Sequence, residues 1–318
     1  MRTSKMFIID KKLDTSLSLA EAITKSGSKQ TYYTIRFLVD RDRISDAYRA
    51  YAYFRWVDDV LDIEAGSLSE KVAFVNRQKT LLETCCRGGT SQDLSAEEQM
   101  LAVLVRNDTE VNSGLRSYLN NMMDVMTFDV SRCGQVITQA ELTGYTRKLS
   151  TAVTDAIYYF IGHNDPNPPQ ETRYLAVTAA HMIHMLRDAF EDTAAGYFNI
   201  PGEVLQKQGI SERDLESPAY RQWVCRRVQL ARRYFKASRE SHAQIKSLRC
   251  RLASCAYMAR FEWMLRTIER ENYCLRCEYP DRKSLRAGLW MAWSILSSVF
   301  FSPWQKLDFE TRIKKRFK

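Results

Sequence analysis

Apolar positions recur along most of the chain with the period of an α-helix, and short polar segments separate the apolar runs. No internal repeat and no low-complexity segment interrupts this pattern. The clearest breaks are residues 87–91, which contain two glycines, and residues 165–169, which contain three prolines. Both breaks are too short to link separate domains. The pattern therefore predicts a single all-α domain.

Two predicted helices contain unusual polar residues. Residues 45–61 are apolar on nearly every side, which is typical of a buried helix, yet carboxylates at Asp58, Asp59 and Asp62 mark its end. Residues 171–192 predict a second helix with an apolar stripe on one side. The polar residues on its other side are His181, His184, Asp188 and Asp192. Each helix thus places carboxylates next to apolar surface.

Composition narrows the class of protein. Hydrophobic residues make up 45% and charged residues 27%, which excludes wholesale disorder, and 12 glycines with 7 prolines in 318 residues argue against an all-β fold. Eight cysteines, including the adjacent Cys85 and Cys86, fit free thiols in a reducing compartment. The CxxC motif at residues 274–277 lacks the second ligand pair of a zinc site, and the amino terminus lacks a signal-peptide core. We therefore expect a cytoplasmic protein.

The two carboxylate pairs have the spacing of one helical turn. Asp58 and Asp62 are four residues apart, as are Asp188 and Asp192, so each pair projects from one helix face. Paired carboxylates repel each other and lose hydration in a core, which is costly unless a cation binds. Oxygen ligands suit Mg²⁺, which also binds substrate phosphates. A single pair is commonly a solvated face, but two pairs, one beside Arg187, predict a site that holds a diphosphate through magnesium ions across a helical cavity.

Around these pairs the sequence resembles the squalene/phytoene synthase family. Residues 31–33 (TYY) and 50–62 (AYAYFRWVDDVLD) are similar to the first family signature, and residues 184–192 (HMLRDAFED) are similar to the second. Further similarities are Gly196, Ile200 and Pro201 after the second signature, Tyr145 at the place of the family's active-site tyrosine, and residues 263–269 and 272–273 near the end. The resemblance covers roughly residues 25–295.

This resemblance implies an all-α isoprenoid-synthase fold, a helical bundle around a central cavity. The family-like domain would span residues 25–295, between an amino-terminal extension (1–24) and a basic carboxy-terminal tail (296–318). Members join two prenyl diphosphates head to head, so the implied activity is a prenyltransferase that condenses C15 or C20 diphosphates into a C30 or C40 hydrocarbon of the phytoene, squalene or dehydrosqualene type. The implied cofactor is Mg²⁺, as two or three ions with the diphosphate. NADPH, which squalene synthases of eukaryotic type need, is not expected.

The resemblance also assigns roles to individual residues. The metal-binding and catalytic carboxylates would be Asp58, Asp62, Asp188 and Asp192, and Tyr145 would be a further catalytic residue beside the reacting carbons. The substrate-binding residues would be Thr31, Tyr32, Tyr51, Arg55, His181, His184 and Arg187. The two arginines would neutralise diphosphate charge, for which a planar guanidinium is well suited. Among the aromatic residues of the first helix, at least half are expected to be simple core.

The sequence departs from the family pattern at three places. His184 and His181 stand where the family usually has Asn and Gln, so each is interpreted either as a site residue or as packing. Residues 150–155 (STAVTD) lack the glycines that normally follow the tyrosine, and Asn199 replaces an aromatic residue. These differences leave two alternatives open. One is a class I terpene cyclase that uses one prenyl diphosphate, and the other is a non-catalytic assembly factor.

The carboxy-terminal region combines an apolar run with a basic tail. Residues 287–301 form an apolar run of about 22 Å as a helix, which is short of a hydrocarbon core of roughly 30 Å. A basic tail follows, with Arg312, Lys314, Lys315, Arg316 and Lys318. The region predicts either a peripheral contact with the inner face of a membrane or a last core helix with a solvated tail. The net charge of +9 favours anionic partners, but no nucleic-acid motif accompanies it, so nucleic acid is not expected as a partner.

Overall fold

A computed structural model describes residues 16–64, 66–91, 93–162, 171–242, 244–280 and 284–300. Within these residues the secondary structure is helical, apart from a single parallel bridge between Val136 and Phe198. The α-helices are α1 (16–27), α2 (Lys29–Leu38), α3 (Ile44–Asp59), α4 (Leu68–Cys86), α5 (Ala96–Asn107), α6 (Gly114–Arg132), α7 (Gln139–Ile161), α8 (Leu175–Arg187), α9 (Ala189–Ala194), α10 (Gly202–Gln208), α11 (Pro218–His242), α12 (Leu248–Arg270) and α13 (Leu285–Phe300). The predicted all-α class is confirmed.

Local sequence signals explain where several helices begin. Ser67 before α4 and Ser95 before α5 each accept a hydrogen bond from the backbone N–H three residues on. In return, Glu70 and Glu98 accept one from the backbone of the capping serine. These reciprocal bonds satisfy backbone donors that a helix end otherwise leaves free. Both helices therefore have a fixed starting residue.

Both of the predicted motif helices are interrupted at their aspartates, which corrects the sequence prediction. The first helix is α-helical only to Asp59 and continues as a π-helical turn over Val60–Glu64. The second is divided into a 3₁₀ turn at Glu171–Tyr174, then α8, then α9, with the break at Asp188. Aspartate is a weak helix former because its side chain competes for backbone hydrogen bonds. Hydrophobic periodicity detects the helices but not these breaks.

The described residues fall into two compact units. The first comprises residues 16–131 and 151–162, and its core forms where α3 packs against α5, with α4 also against α5. Tyr53 of α3 is fully buried and its hydroxyl donates to the side chain of Gln78, 3.0 Å away. Gln78 in turn donates to the buried Glu98 at 2.9 Å. A polar network is thus built into this otherwise apolar core.

The second unit comprises residues 132–150 and 171–300. In this unit α8 packs against both α11 and α12, and α12 packs against α13. The most deeply buried members of its core include Ile183, Val224, Val228, Phe235 and Ile268. Because α8 is enclosed by two long helices, the carboxylate motif at its end has a rigid support.

Candidate active site

The first carboxylate motif lies where α3 changes into the π-helical turn. Asp58 and Asp59 are half-buried, and Asp62 is exposed. The guanidinium of Arg55 forms an ion pair with Asp59 and lies 3.5 Å from the carboxylate of Asp58. Arg55 therefore lies beside the motif, and its closest partner is Asp59, the middle aspartate.

The carboxylate of Asp58 lies in a strongly negative environment. Partial burial raises its pKa to about 6, and the charges of Asp62, Asp129 and Asp59 act in the same direction, while Arg55 opposes them. A raised pKa means that the ionised form is disfavoured, here first by lost hydration and then by like charge. A bound cation would favour the ionised form.

Asp129 of α6 is a member of this cluster that the sequence analysis missed. It raises the pKa of Asp58, although the two residues are 71 positions apart in the chain. The only signal in the sequence is an aspartate in the apolar run Val125–Val130. A lone carboxylate on a helix is a weak signal, so only the fold identifies it.

The aromatic residues before the first motif have mostly structural contacts. Tyr32 packs against Tyr48 with ring centroids 5.5 Å apart, and the Tyr48 hydroxyl donates to the Tyr32 carbonyl. The backbone and hydroxyl of Thr31 both donate to Ser28, the residue that caps α2. The hydroxyl of Tyr51 lies 3.3 Å from where a side chain on Gly27 would begin. Substrate binding by Thr31, Tyr32 and Tyr51 remains a prediction.

The second motif is centred on the break at Asp188. Arg187 forms an ion pair with the carboxylate of Asp188, and His184 places its Nε2 3.2 Å from the same carboxylate. The side chain of Asp188 is 21% exposed, and that of Arg187 only 11%. Despite the break, the backbone N–H of Asp192 donates to the carbonyl of Asp188 at 2.8 Å. The local geometry therefore keeps Asp192 one turn beyond Asp188.

Asp192 is held by a chain of side chains that begins at a buried arginine. The amide of Asn199 donates to Asp192 at 2.6 Å, and Arg132 donates to the other end of the same amide at 2.9 Å. The Arg132 guanidinium also lies 5.0 Å from the ring of Tyr145 and 5.1 Å from that of Tyr197. Arg132 was not predicted from the sequence, in which it is one of 47 basic residues. It links the second motif to the predicted catalytic tyrosine.

Tyr145 and His181 form one wall of this region. Their ring centroids are 5.1 Å apart, and Nδ1 of His181 lies 3.2 Å from the hydroxyl of Thr146. His181 is buried, and burial lowers its pKa well below the ordinary value, as do the nearby charges of His184, Arg132 and Arg227. His181 is therefore a neutral, hydrogen-bonded wall residue near neutral pH, whereas the side chain of His184 is 49% exposed beside Asp188.

The sequence model for squalene/phytoene synthases matches residues 24–287 of this chain. The protein belongs to the squalene/phytoene synthase family. Enzymes of this family are prenyltransferases. A curated relative, presqualene diphosphate synthase of Rhodopseudomonas palustris (strain ATCC BAA-98 / CGA009), is 23% identical over 186 residues. That alignment covers 58% of this chain and 62% of the relative, so it spans less than two thirds of the relative's length.

Solved structures of the family have the same fold. Squalene synthase HpnC from Alicyclobacillus acidocaldarius superimposes with a TM-score of 0.65 at 18% identity, over 83% of this chain and 97% of that one. A dehydrosqualene synthase in complex with a ligand gives a TM-score of 0.67 at 16% identity, over 91% and 96% of the two chains. The predicted isoprenoid-synthase fold is confirmed.

The departures from the squalene/phytoene synthase pattern have visible structural consequences. Asn199, in place of an aromatic residue, bridges Asp192 and Arg132. In the glycine-free stretch, α7 runs without interruption, and Ser150, Ala152 and Thr154 are buried. The hydroxyl of Thr154 has no hydrogen-bond partner among the described residues. The effect of this added bulk on a product remains a prediction.

The donor atoms present fit magnesium rather than a softer metal. Both motifs offer carboxylate oxygens, and oxygen is the ligand atom that Mg²⁺ prefers. Within the described residues, no group of three or more His, Cys, Asp or Glu side chains is arranged to hold a metal by itself. Magnesium commonly takes one or two carboxylates and completes its shell with water and substrate phosphates, so the carboxylates of both motifs are chemically suited to it.

Proposed function

We propose that this protein is a Mg²⁺-dependent prenyltransferase that condenses two allylic C15 or C20 diphosphates head to head into a C30 or C40 hydrocarbon. The observation that most supports this proposal is the negative cluster at Asp58. Burial and three neighbouring carboxylates raise the pKa of Asp58 to about 6, which is costly for a protein that leaves the site without a cation. The protein also belongs to a family whose members are prenyltransferases, which act on diphosphates.

In this proposal the two aspartate motifs hold the magnesium ions that bind the diphosphate. Asp58 and Asp62, with Asp129 beside them, and Asp188 with Asp192 would hold magnesium. Magnesium held there would supply positive charge to the diphosphate leaving group. Arg55 and Arg187 each lie beside a motif carboxylate, so an arriving diphosphate meets a guanidinium together with the ligating oxygens.

Tyr145 would act near the reacting carbons of the prenyl groups. Aromatic rings attract cationic carbon centres, and the ring of Tyr145 is positioned by contacts with the guanidinium of Arg132 and the ring of His181. Because His181 is neutral and already hydrogen-bonded to Thr146, we assign it the role of orienting Tyr145. His184 is paired with Asp188 and is proposed to contact the diphosphate.

Product analysis tests the proposal. Purified protein is incubated with Mg²⁺ and either the C15 or the C20 diphosphate, and both released diphosphate and hydrocarbon mass are measured. A linear product with twice the carbon number supports the proposal. A cyclic product of unchanged carbon number would instead identify a terpene cyclase, and no diphosphate release would identify a non-catalytic protein. The exposed Asp42 in the 3₁₀ turn at Arg41–Arg43 provides a matched control, since Asp42→Asn should leave turnover unchanged.

We further propose that the reaction takes place at a membrane surface, on which α13 rests. Leu285, Leu289, Trp293 and Leu296 form a stripe along α13 and are between 48% and 80% exposed. The residues of the predicted basic tail from 301 onwards lie outside the described residues. No helix in the described part of the chain is long and apolar enough to cross a membrane. A helix that lies on the membrane surface would bury this exposed apolar stripe without crossing the bilayer.

Basic side chains lie beside one residue of this stripe, Trp293. A cavity of about 560 Å³ between α11, α12 and α13 is lined by Trp293 together with Lys236 and Arg266, and by Arg239, which is paired with Glu262. Cationic side chains beside an apolar stripe suit anionic lipid headgroups.

Vesicle binding tests the membrane contact. The double variant Leu289→Ser, Trp293→Ser should bind vesicles of anionic phosphatidylglycerol more weakly than the parent does. Val111→Ser, which changes a 91%-exposed apolar residue of the other unit, should bind like the parent. Equal binding of all three proteins would refute the contact while leaving the proposed reaction intact.

A further inference from the structure

The second unit contains a cavity that takes no part in the site described above. It has a volume of about 440 Å³ and opens between the first half of α7, the 3₁₀ turn before α8, α8 itself and α11. This volume lies within the roughly 300–1,000 Å³ of small-molecule sites. On α8 the lining residues Thr178 and Met182 lie on the side of the helix away from His184. The cavity is therefore separate from the motif at Asp188.

Arg227 of α11 is the most informative residue of the cavity wall. Burial lowers the pKa of its guanidinium, and the ring of Trp223 lies 5.9 Å from it. Among the described residues, neither a carboxylate nor a hydrogen-bond acceptor pairs with this guanidinium. Arg227 is half-buried at the cavity wall, so its guanidinium is partly desolvated, and no described side chain neutralises it. Its charge is therefore available to an anion that enters the cavity and is not part of the chain.

The rest of the wall is suited to a phosphoryl group with an apolar substituent. A second cation, Arg147, and the carboxylate of Glu171 lie at exposed positions of the rim. The hydroxyl groups that line the cavity belong to Thr143, Thr146, Ser150, Thr172, Tyr174, Thr178 and Tyr234. Those of Thr143 and Ser150 already donate to backbone carbonyls, and that of Thr146 is bonded to His181. Thr178 and Tyr234 are therefore the better candidate donors. The apolar part of the lining is Leu142, Leu175, Met182 and Leu230. Guanidinium groups and hydroxyls bind phosphate oxygens, while the leucines and methionine offer surface to a hydrocarbon group.

We propose that this cavity binds a small organic phosphate, with its phosphoryl group on Arg227 and Arg147 and its apolar group against the leucines. A bare phosphate would leave the apolar wall empty. A carboxylate offers two oxygens and one negative charge, whereas a phosphoryl group offers three oxygens and nearly two charges to the two guanidiniums.

A ligand bound in the cavity would change the electrostatic environment of the proposed active site. Thr146 lines the cavity and its hydroxyl lies 3.2 Å from Nδ1 of His181, which packs on Tyr145. The positive charge of Arg227 also acts on His181. An anion on Arg227 would offset that charge, so the site can modulate the wall formed by Tyr145 and His181.

Calorimetric titration with phenyl phosphate in the presence of EDTA tests the proposal. EDTA removes divalent metal, so binding that depends on magnesium at the aspartate motifs does not contribute, and the result is independent of the proposed reaction. We expect one site that binds phenyl phosphate at least about tenfold more tightly than inorganic phosphate or benzoate. Benzoate binding as tightly as phenyl phosphate, or no binding of any probe, would overturn the proposal.

Variants of Arg227 locate the site. Arg227→Met should weaken phenyl phosphate binding at least about tenfold, and Arg227→Lys should weaken it less, because one charge remains. Arg233→Met removes the same charge from an exposed position of α11 outside the cavity and should bind like the parent. If Arg227→Met fails to fold, Arg147→Met at the rim serves the same purpose with a smaller expected loss. Parent-like binding by both Arg227→Met and Arg147→Met would place the ligand elsewhere.

Discussion

Two carboxylates of the first unit, Glu98 and Asp58, have pKa values that are shifted in opposite directions. Glu98 accepts hydrogen bonds from Arg77 at 2.7 and 2.8 Å, from Gln78 at 2.9 Å and from the backbone of Ser95 at 3.1 Å. These bonds hold its pKa at about 2. Asp58 has an arginine at 3.5 Å and carboxylates around it, and its pKa is raised to about 6.

The difference separates a carboxylate that stabilises the fold from one kept for a ligand. Glu98 joins the buried polar network of Tyr53 and Gln78, so its charge is used within the chain. The ionised form of Asp58 is instead disfavoured in the folded chain, by burial and by the charges of Asp62, Asp129 and Asp59, with Arg55 as the opposing charge. Functional sites often lower stability in this way, since a group prepared for a ligand is poorly satisfied without it.

The largest expected effect is on catalysis. Asp58→Asn and Asp188→Asn should each lower diphosphate release about a hundredfold or more, because each removes a proposed magnesium ligand. Glu98→Gln, tested below the temperature at which it unfolds, should retain most of the activity. Near-normal turnover by either aspartate variant would show that its carboxylate is not a metal ligand.

Glu98→Gln should instead cost stability. Replacing this carboxylate weakens bonds to Arg77, Gln78 and the Ser95 backbone, and we expect a loss of about 2–3 kcal/mol in the free energy of unfolding at pH 7. Because the pKa of Glu98 is lowered in the folded protein, its contribution is present above about pH 4.5 and is lost as the pH falls towards 2. Urea unfolding at pH 7 measures the effect, with Glu97→Gln in the same helical turn as control. Equal losses in the two variants would contradict the assignment.

Asp58→Asn should change stability in the opposite direction and by less. The pKa of Asp58 is raised in the folded protein, so its ionised form destabilises the fold above about pH 6, and this penalty disappears below about pH 4. Since the side chain is 43% exposed, solvent screening reduces the expected gain to about 1 kcal/mol. Urea unfolding at pH 7.5 should show the variant to be more stable than the parent, and at pH 4 the two should agree. A variant less stable than the parent at pH 7.5 would mean that Asp58 is a structural carboxylate like Glu98.

The smallest expected effect concerns His184 in the second motif. Here Asp188 already has cationic partners, and the imidazole of His184 is one of them when protonated. His184→Asn should remain active and lose one limb of the pH–rate profile between about pH 6 and 8, where imidazole titrates. His184→Ala should cost more activity, because it removes the polar contact to Asp188. Parent-like rates and profiles for both variants would make His184 a packing residue.

The sequence allowed the helices and the two aspartate pairs to be predicted, because both depend on short-range spacing. The i,i+4 spacing identified Asp58 with Asp62 and Asp188 with Asp192, although the helix breaks at Asp188. Residues from distant parts of the chain were missed. Asp129 and Arg132 act through contacts with residues about 70 positions away, and no local pattern distinguishes them from ordinary polar residues.

The roles of His181 and His184 could not be predicted from the sequence either. Their positions on the helix are compatible both with packing and with a role in the site. The fold makes them unlike each other: His181 is enclosed and bonded to Thr146, whereas His184 is half-exposed next to Asp188. Burial, which depends on tertiary packing, distinguishes the two residues.

The most direct test of the central claim is to locate the metal. Crystals grown with Mn²⁺ and inorganic diphosphate would give anomalous density for the ion. We predict peaks about 2.2 Å from carboxylate oxygens of Asp58 or Asp62, and of Asp188 or Asp192, with no peak at Glu98. Bound diphosphate without metal at either aspartate pair would contradict the proposal that these carboxylates hold the ions.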